Sequence, residues 1–510
     1  MKLPTLTLPQ DNKAQSNIVF TTIMLLAVLF ISITSGVLAA YENLYLIIAL
    51  LAIYGALFIL IVPPIWTVWL IFWAAFLITG PSAYLIRFTQ IQWLTVLISA
   101  ALILPVIFNL LRSRTNVLST QFSANLFLPL SFISLAIFSS IINQSQLGDI
   151  INASRHYFFM WPLMLIFGFG LIQSEHFLKL WKALLIVASL QLPMALYQYF
   201  YVAKKDARMS PWDAVIGTFQ GNIDGGGDSA GMAMMLLVAM LTGIALWREH
   251  RFKSLWILWI VISGIATLLL AEVKAMVLLL PVPICIYYRK ELFKKPIESI
   301  IVIVTVFLLV VGILSAYKNV HYDTSNSFKN NSEINTAYDS ILNALTPKTG
   351  EDSAHVGRAT LLLNWWDSNV SRGEIHKVLF GYGIGAVHST KFRVGEIAQR
   401  YEYRINKTSS VILLWETGVI GHLIFLMILI FGAKTSADAA KNESVPPIHR
   451  TFLRVGSISL VMLIITLPYG SFHLLSIPTQ FLMMFVLGQA IYWSRFIKVT
   501  SSQSILKQSQ

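Results

Sequence analysis

The sequence predicts an all-α, polytopic integral membrane protein with about 12 to 14 transmembrane helices and one large folded extracytoplasmic loop. Three observations lead there. Hydrophobic residues fill 56% of the 510 positions and charged residues only 12%, with a mean hydropathy of +0.69, far from a soluble average. The apolar residues fall in blocks near the ~20 residues that cross a bilayer. One stretch, 318–408, contains no such block, although connections longer than ~12–15 residues are uncommon in compact domains unless functional or disordered.

In chain order, residues 1–17 form a polar cytoplasmic tail. The first apolar run, 18–39, exceeds the ~7–15 residues of a signal-peptide core and is read as a retained helix. Further spans are predicted at 44–62, 65–86, 93–111, 122–142, 156–173, 180–202, 229–247, 255–271, 274–288 and 299–316, which places helices 1–11 within 18–317. Pro63-Pro64 divides the second from the third. Glu272 and Lys274 divide an apolar run too long for one ordinary span. Helices 12–14 occupy 409–493, at 409–432, 452–467 and 472–493, and 494–510 is a second cytoplasmic tail. Cys285 is the single cysteine, so no intrachain disulfide forms.

Lysine and arginine in the short loops set orientation. An N-terminus inside the cell gathers Arg112, Arg114, Lys179, Lys182, Arg248, Arg251, Lys253, Arg289, Lys290, Lys434, Lys441, Arg450 and Arg454 on the cytoplasmic side. The opposite side keeps Arg87, Arg155, Lys204, Lys205, Arg208 and Lys274, plus the long loop, which is exempt at this length. Both termini are therefore expected in the cytoplasm and the loop outside. The net charge of +13 is accounted for by topology and anionic membrane lipids, not nucleic acid. Ionisable residues are scarce within the spans, and no inverted repeat is visible, which argues against an ion-coupled carrier.

The loop holds Trp365, Trp366, Phe380, Tyr382 and the cluster Gly381-Tyr-Gly-Ile-Gly385, followed by Lys391, Arg393, Arg400, Arg404 and Lys407. Lys407-Thr408 is followed by nine residues and then Gly418-Val-Ile-Gly421, with Trp415-Glu416-Thr417 before the first glycine. By pattern alone the glycine pair also suits a helix-packing face. Upstream stand Gly217-Thr-Phe-Gln-Gly-Asn222 ahead of Ser229-Ala-Gly-Met, Leu270-Ala-Glu-Val-Lys274, Gly357-Arg358, Leu363-Asn-Trp-Trp366 and Leu379-Phe-Gly-Tyr-Gly-Ile-Gly385. In this order and spacing, residues 215–431 resemble the superfamily of O-antigen ligases and Wzy-type O-antigen polymerases. Lys407 stands where that family places histidine, and Lys274 where it places arginine.

The resemblance implies a glycosyltransferase of the bacterial inner membrane. It would move a glycan from an undecaprenyl-pyrophosphate donor to an acceptor hydroxyl at the periplasmic face, without metal or cofactor. The polymer would be O-antigen, capsule or exopolysaccharide; a chain-length regulator and a flippase are the implied partners. A ligase acting on lipid A-core, and a transporter or flippase, are the alternatives, and the missing histidine favours the polymerase over the ligase. Arg358, Arg404, Lys274, Arg155 and Arg208 are the candidate diphosphate ligands, with Asn222, Gly383 and Gly385 on the substrate. Lys407 is either a cation for the leaving group or a base, and Glu402, His388 and His355 are further proton acceptors. Gly381-x-Gly-x-x-Ala386 lacks the strand and helix context of a dinucleotide site.

Overall fold

The computed structural model describes residues 61–112, 124–203, 214–223, 226–251, 253–271, 273–294, 357–389, 394–401 and 403–508, with scattered single residues elsewhere. The chain divides into Met1–Pro63 and Pro64–Gln510. In the first unit the described positions are isolated helical residues such as Leu29, Ile33 and Gly55. Spans expected at 18–39, 44–62 and 299–316 lie largely outside the described residues, as does 318–356 of the loop.

The second unit is helical throughout its regular elements. Its spans begin with α1 (Pro64–Leu85) and α2 (Ile91–Leu111), then α3 (Ala124–Ile142). Two short helices follow, α4 (Leu147–Tyr157) and α5 (Trp161–Gly168). Next come α6 (Ser174–Ala203), α7 (Ser229–Arg248), α8 (Ser254–Leu270), α9 (Lys274–Leu279) and α10 (Pro281–Lys294). The loop contributes α11 (Arg358–Asn369), α12 (Ile375–Phe380) and α13 (Glu396–Arg400). The chain closes with α14 (Ser409–Ala439), α15 (Pro447–Thr466), α16 (Phe472–Leu475) and α17 (Ile477–Gln508).

Seven of the described helices are long and apolar enough to cross a membrane: α1, α2, α3, α6, α7, α14 and α15. Leu111 and Leu255 are each 77% exposed, an arrangement that hydrocarbon tolerates and water does not. Four expected spans take other forms, the one at 472–493 being divided at Ser476 between α16 and α17. The one at 156–173 is broken at Phe158–Met160, yet Gln480 near the start of α17 donates to the His156 carbonyl (2.8 Å) and Arg495 further along the same helix donates to the Gly168 carbonyl (3.0 Å). Those 15 residues of α17 rise ~22 Å, so the broken segment still runs most of a bilayer alongside it. The span at 274–288 is split at Leu280, because Pro281 starts a new helix and offers no N–H. The span at 255–271 is a helix of 17 residues.

The core of the unit is α14, which packs against α3, α15 and α17. Helices α11 and α12 pack on its first turns and form a small cap. Bulky rings fill the bundle: Trp181 stacks on Phe452 at 5.4 Å and Phe132 on Trp161 at 5.8 Å, both geometries favourable for aromatic pairs.

Candidate functional site

The site is built on the first half of α14. As one straight helix its 31 residues would rise ~46 Å, against a hydrocarbon core of ~30 Å. The helix does not run straight. Gly418 has φ +67° and ψ −171°, a conformation essentially confined to glycine, and it separates Ser409–Thr417 from the membrane-length remainder. The break frees the carbonyls of Trp415 and Glu416, and the cap takes them. Tyr382 N donates to Trp415 O (2.8 Å), Gly383 N to Glu416 O (3.0 Å), and Ser139 Oγ bridges Glu416 O (3.1 Å) and Phe380 O (2.5 Å). Gly381, with φ +73°, lies so close to this break that a Cβ there would sit 2.7 Å from Gly418 N.

The N-terminal turn of α14 is tied down as well. Thr408 Oγ1 caps it by accepting from Val411 N (3.2 Å), while Ser409 N donates to Gly470 O (2.9 Å) and Ser410 N to Leu467 O (3.1 Å). Free helix-terminal N–H groups commonly bind phosphate, but these three amides of α14 are occupied. His473 locks the arrangement: Nε2 donates to Leu463 O (2.9 Å), and Nδ1 pairs with Ser409 Oγ (2.9 Å).

Beside that turn the structure gathers a cationic trio. Lys407 precedes the cap residue, and burial, followed by the charges of Arg358 and Arg404, lowers its pKa below the ordinary lysine value. Arg358, the first residue of α11, lies over the Tyr469 ring at 4.3 Å. Arg358 also hydrogen-bonds the Tyr469 hydroxyl, so the ring and its phenol fix where the guanidinium sits. The Tyr469 phenol is raised by burial, with Arg358 opposing the rise.

A second constellation lies where the cap meets α14. Glu416 is fully buried and His388 is 8% exposed. Glu416 Oε1 accepts from His388 Nδ1 (2.9 Å) and from Val387 N (3.1 Å). The His388 ring stacks on His156 at 5.2 Å, and His156 Nε2 accepts from Arg155 Nε (3.0 Å). Arg155 also lies 4.9 Å over Trp93. His388 Nε2 has no partner but is sealed from solvent. A proton acceptor must reach its substrate, so in this arrangement His388 positions the chain segment that carries it.

That segment forms one wall of a polar cleft of about 220 Å³. Asn143, Gln146 and Asp149 line one side, and Tyr382, Glu396 and Gln399 the other. Arg400 pairs with Glu396 and lies 5.2 Å over Tyr382, while Lys377 donates to Asn143 across the cap. From Gln399 in the cleft the chain runs through Tyr401, whose hydroxyl pairs with Ser368 (2.8 Å), to Arg404 and Lys407. The cleft is lined by amides and carboxylates, and the Tyr382 ring in its wall is buried beneath Lys377 and Arg400.

Of the residues singled out in the sequence, Arg358, Arg404 and Lys407 come together, His388 meets Glu416, and Arg155 reaches His388 only through His156. Lys274 begins α9, half-buried at its turn with α8. Asn222 is exposed in a hairpin closed by Asn222 N to Gly226 O (2.9 Å). Gly383 (φ +89°) and Gly385 (φ +94°) approach protein: added Cβ atoms would lie 3.1 Å from Ser140 Cα and 2.9 Å from Asp149 O respectively. Arg208, Glu402 and His355 lie outside the described residues. Tyr469, Glu416 and the Asn143–Asp149 turn are the site residues that sequence reasoning did not assign. Among the described residues no group of three or more His, Cys, Asp or Glu is placed to hold a metal ion. No protein-family model matches the chain, and no curated protein matches it.

Proposed function

We propose that the protein is a membrane glycosyltransferase of the polysaccharide-polymerase type, working on an undecaprenyl-pyrophosphate-linked glycan at the periplasmic face. The observation that carries this reading is the convergence of Arg358, Arg404 and Lys407 beside the entry of α14. Such a cluster, next to a span and with the adjacent helix amides occupied, suits a lipid-borne diphosphate bound through side chains.

In this reading the polar cleft takes the acceptor glycan. The acceptor hydroxyl oxygen bonds to the donor's anomeric carbon as the bond from that carbon to the diphosphate oxygen breaks. The electron pair leaves on the diphosphate, whose growing charge the trio neutralises. The cleft's two carboxylates, Asp149 and Glu396, are the groups that take up the hydroxyl proton. Glu416 and His388 hold the wall between the two sites.

The test uses purified full-length protein with lipid-linked oligosaccharide. Arg358→Lys and Arg404→Lys keep the charge but lose the paired contact, and each should slow polymerisation ~10-fold or more, the equivalent of ~1.4 kcal/mol. Full polymer length and yield from both Arg→Ala variants, at normal protein levels, would refute the assignment.

A further inference from the structure

At the end of the bundle away from the cap, the ends of α7, α10, α14 and α15 enclose a cleft of about 200 Å³. Its rim carries Arg248, Arg289, Lys290, Lys441 and Arg454 against the single carboxylate Glu291. Arg248 is paired with Glu291 and packs its guanidinium on Tyr288 (5.2 Å), and Lys441 is paired with Asp438 (2.8 Å). Among the described residues Arg289, Lys290 and Arg454 form no ion pair. Glu291, paired with Arg248 and within Coulomb range of Arg454, stands against five cations of the rim, an excess that a bound anion offsets.

The floor of the cleft is of a different kind. Ile458 and Val461 stand one and two turns deeper than Arg454 on the same face of α15, and Ile286 stands one turn deeper than Arg289 and Lys290 on α10. The cleft thus passes from a cationic rim to an apolar wall along the direction of the helices. That gradient matches a molecule with a phosphate at one end and a hydrocarbon chain at the other, whereas a free phosphate would gain nothing from the wall.

We propose that this cleft is a binding site for an anionic phospholipid, with the phosphate between Arg289, Lys290 and Arg454 and an acyl chain along Ile286, Ile458 and Val461. The site is separate from the cationic trio and does not depend on the glycosyltransferase reading. Each basic residue near an anionic lipid contributes about five-fold in affinity, so the three together account for on the order of 100-fold.

The experiment measures binding of phosphatidylglycerol, phosphatidylcholine and inorganic phosphate to the full-length protein in a non-ionic detergent. Wild type should prefer phosphatidylglycerol over phosphatidylcholine. The variant Arg289→Gln/Lys290→Gln/Arg454→Gln, folded by its thermal midpoint, should lose that preference by on the order of 100-fold. A second variant, Val461→Trp, fills the apolar floor while leaving every charge in place; it should weaken phosphatidylglycerol and leave inorganic phosphate unchanged. Undiminished phosphatidylglycerol binding by either variant overturns the site. Inorganic phosphate competing as well as the lipid would assign a soluble phosphoester and overturn the acyl-chain part.

Discussion

Gly418→Ala tests the joint on which the candidate site depends. The substitution forces a side chain into φ +67°, ψ −171°, which costs ~1–3 kcal/mol by itself. The new Cβ would also lie 2.6 Å from Phe380 N and closer still to the Leu379 carbonyl. Both are backbone, so no rotamer change relieves the overlap. Moving α12 away strains or breaks the bonds from Tyr382 N and Gly383 N to the freed carbonyls, at ~1 kcal/mol each. The total is on the order of 3–5 kcal/mol, concentrated between cap and bundle. Gly243→Ala on α7 is the control, since its added Cβ would meet only Ile260 at 3.9 Å and alanine is the better helix former. Unfolding in detergent, followed by tryptophan fluorescence, should show Gly418→Ala far below wild type and Gly243→Ala at or above it. Limited proteolysis should cut Gly418→Ala first within 381–408. A Gly418→Ala protein as stable and protease-resistant as wild type would mean that α14 is not broken there.

Lys407→Arg keeps the third cation and should retain activity within ~10-fold of wild type, with a flat profile from about pH 6 to 8, below the lysine reference of ~10.4; an inactive variant that still binds donor, beside a wild-type rate climbing steeply with pH, would make Lys407 the base. Asp228 caps α7 through Gly231 N (3.0 Å), and burial raises its pKa from 3.8 to about 7, with hydrogen bonds from Ser476 and Gly231 opposing the rise. Folding therefore prefers the neutral acid: the full stability is present below the unfolded pKa and falls as pH rises through about 7. Asp228→Asn keeps a good cap, so its melting temperature should gain on wild type between pH 4 and pH 8, and a gap constant with pH contradicts the buried acid. In a Cys285→Ser background, Ser371→Cys should react with an impermeant thiol reagent in intact spheroplasts and Lys290→Cys should not; labelling at 290 alone reverses the orientation.

How far the sequence reaches differs between bundle and site. Spans at 65–86, 93–111, 122–142, 180–202, 229–247, 409–432 and 452–467 are legible because ~20 apolar residues have few other uses. The breaks are less so. Pro281 announces the division of α9 from α10, but nothing in Tyr157-Phe158-Phe159-Met160 announces the turn between α4 and α5. The trio is legible only as a pattern, because Arg358 and Lys407 are brought together by contacts with α14 and Tyr469 that lie far apart in sequence. Glu416 stands inside the quoted motif, yet its partner is 28 positions away, and a lone acid in an apolar run does not name its ligand. Asn143-Gln-Ser-Gln146 reads as a solvated turn at the end of a span. Only the cap, folding back over it, makes it a wall of the cleft.

The position of the break explains why the cap and the site occupy the same place. Within hydrocarbon an unpaired carbonyl costs several kcal/mol, so irregular backbone persists only where protein covers it. Here the covering is supplied by the same residues that shape the cleft. Tyr382 gives its N–H to Trp415, its ring to the cleft, and its hydroxyl to Asn369 (3.0 Å). Trp365 donates its indole N–H to Leu414 O (3.1 Å), which ties α11, and with it Arg358, to the same half-helix. A substitution that loosens the cap therefore displaces a cation and a cleft wall together. Those two effects should appear jointly in any variant of the 381–388 segment, whereas variants of the trio should alter activity without exposing the cap to protease.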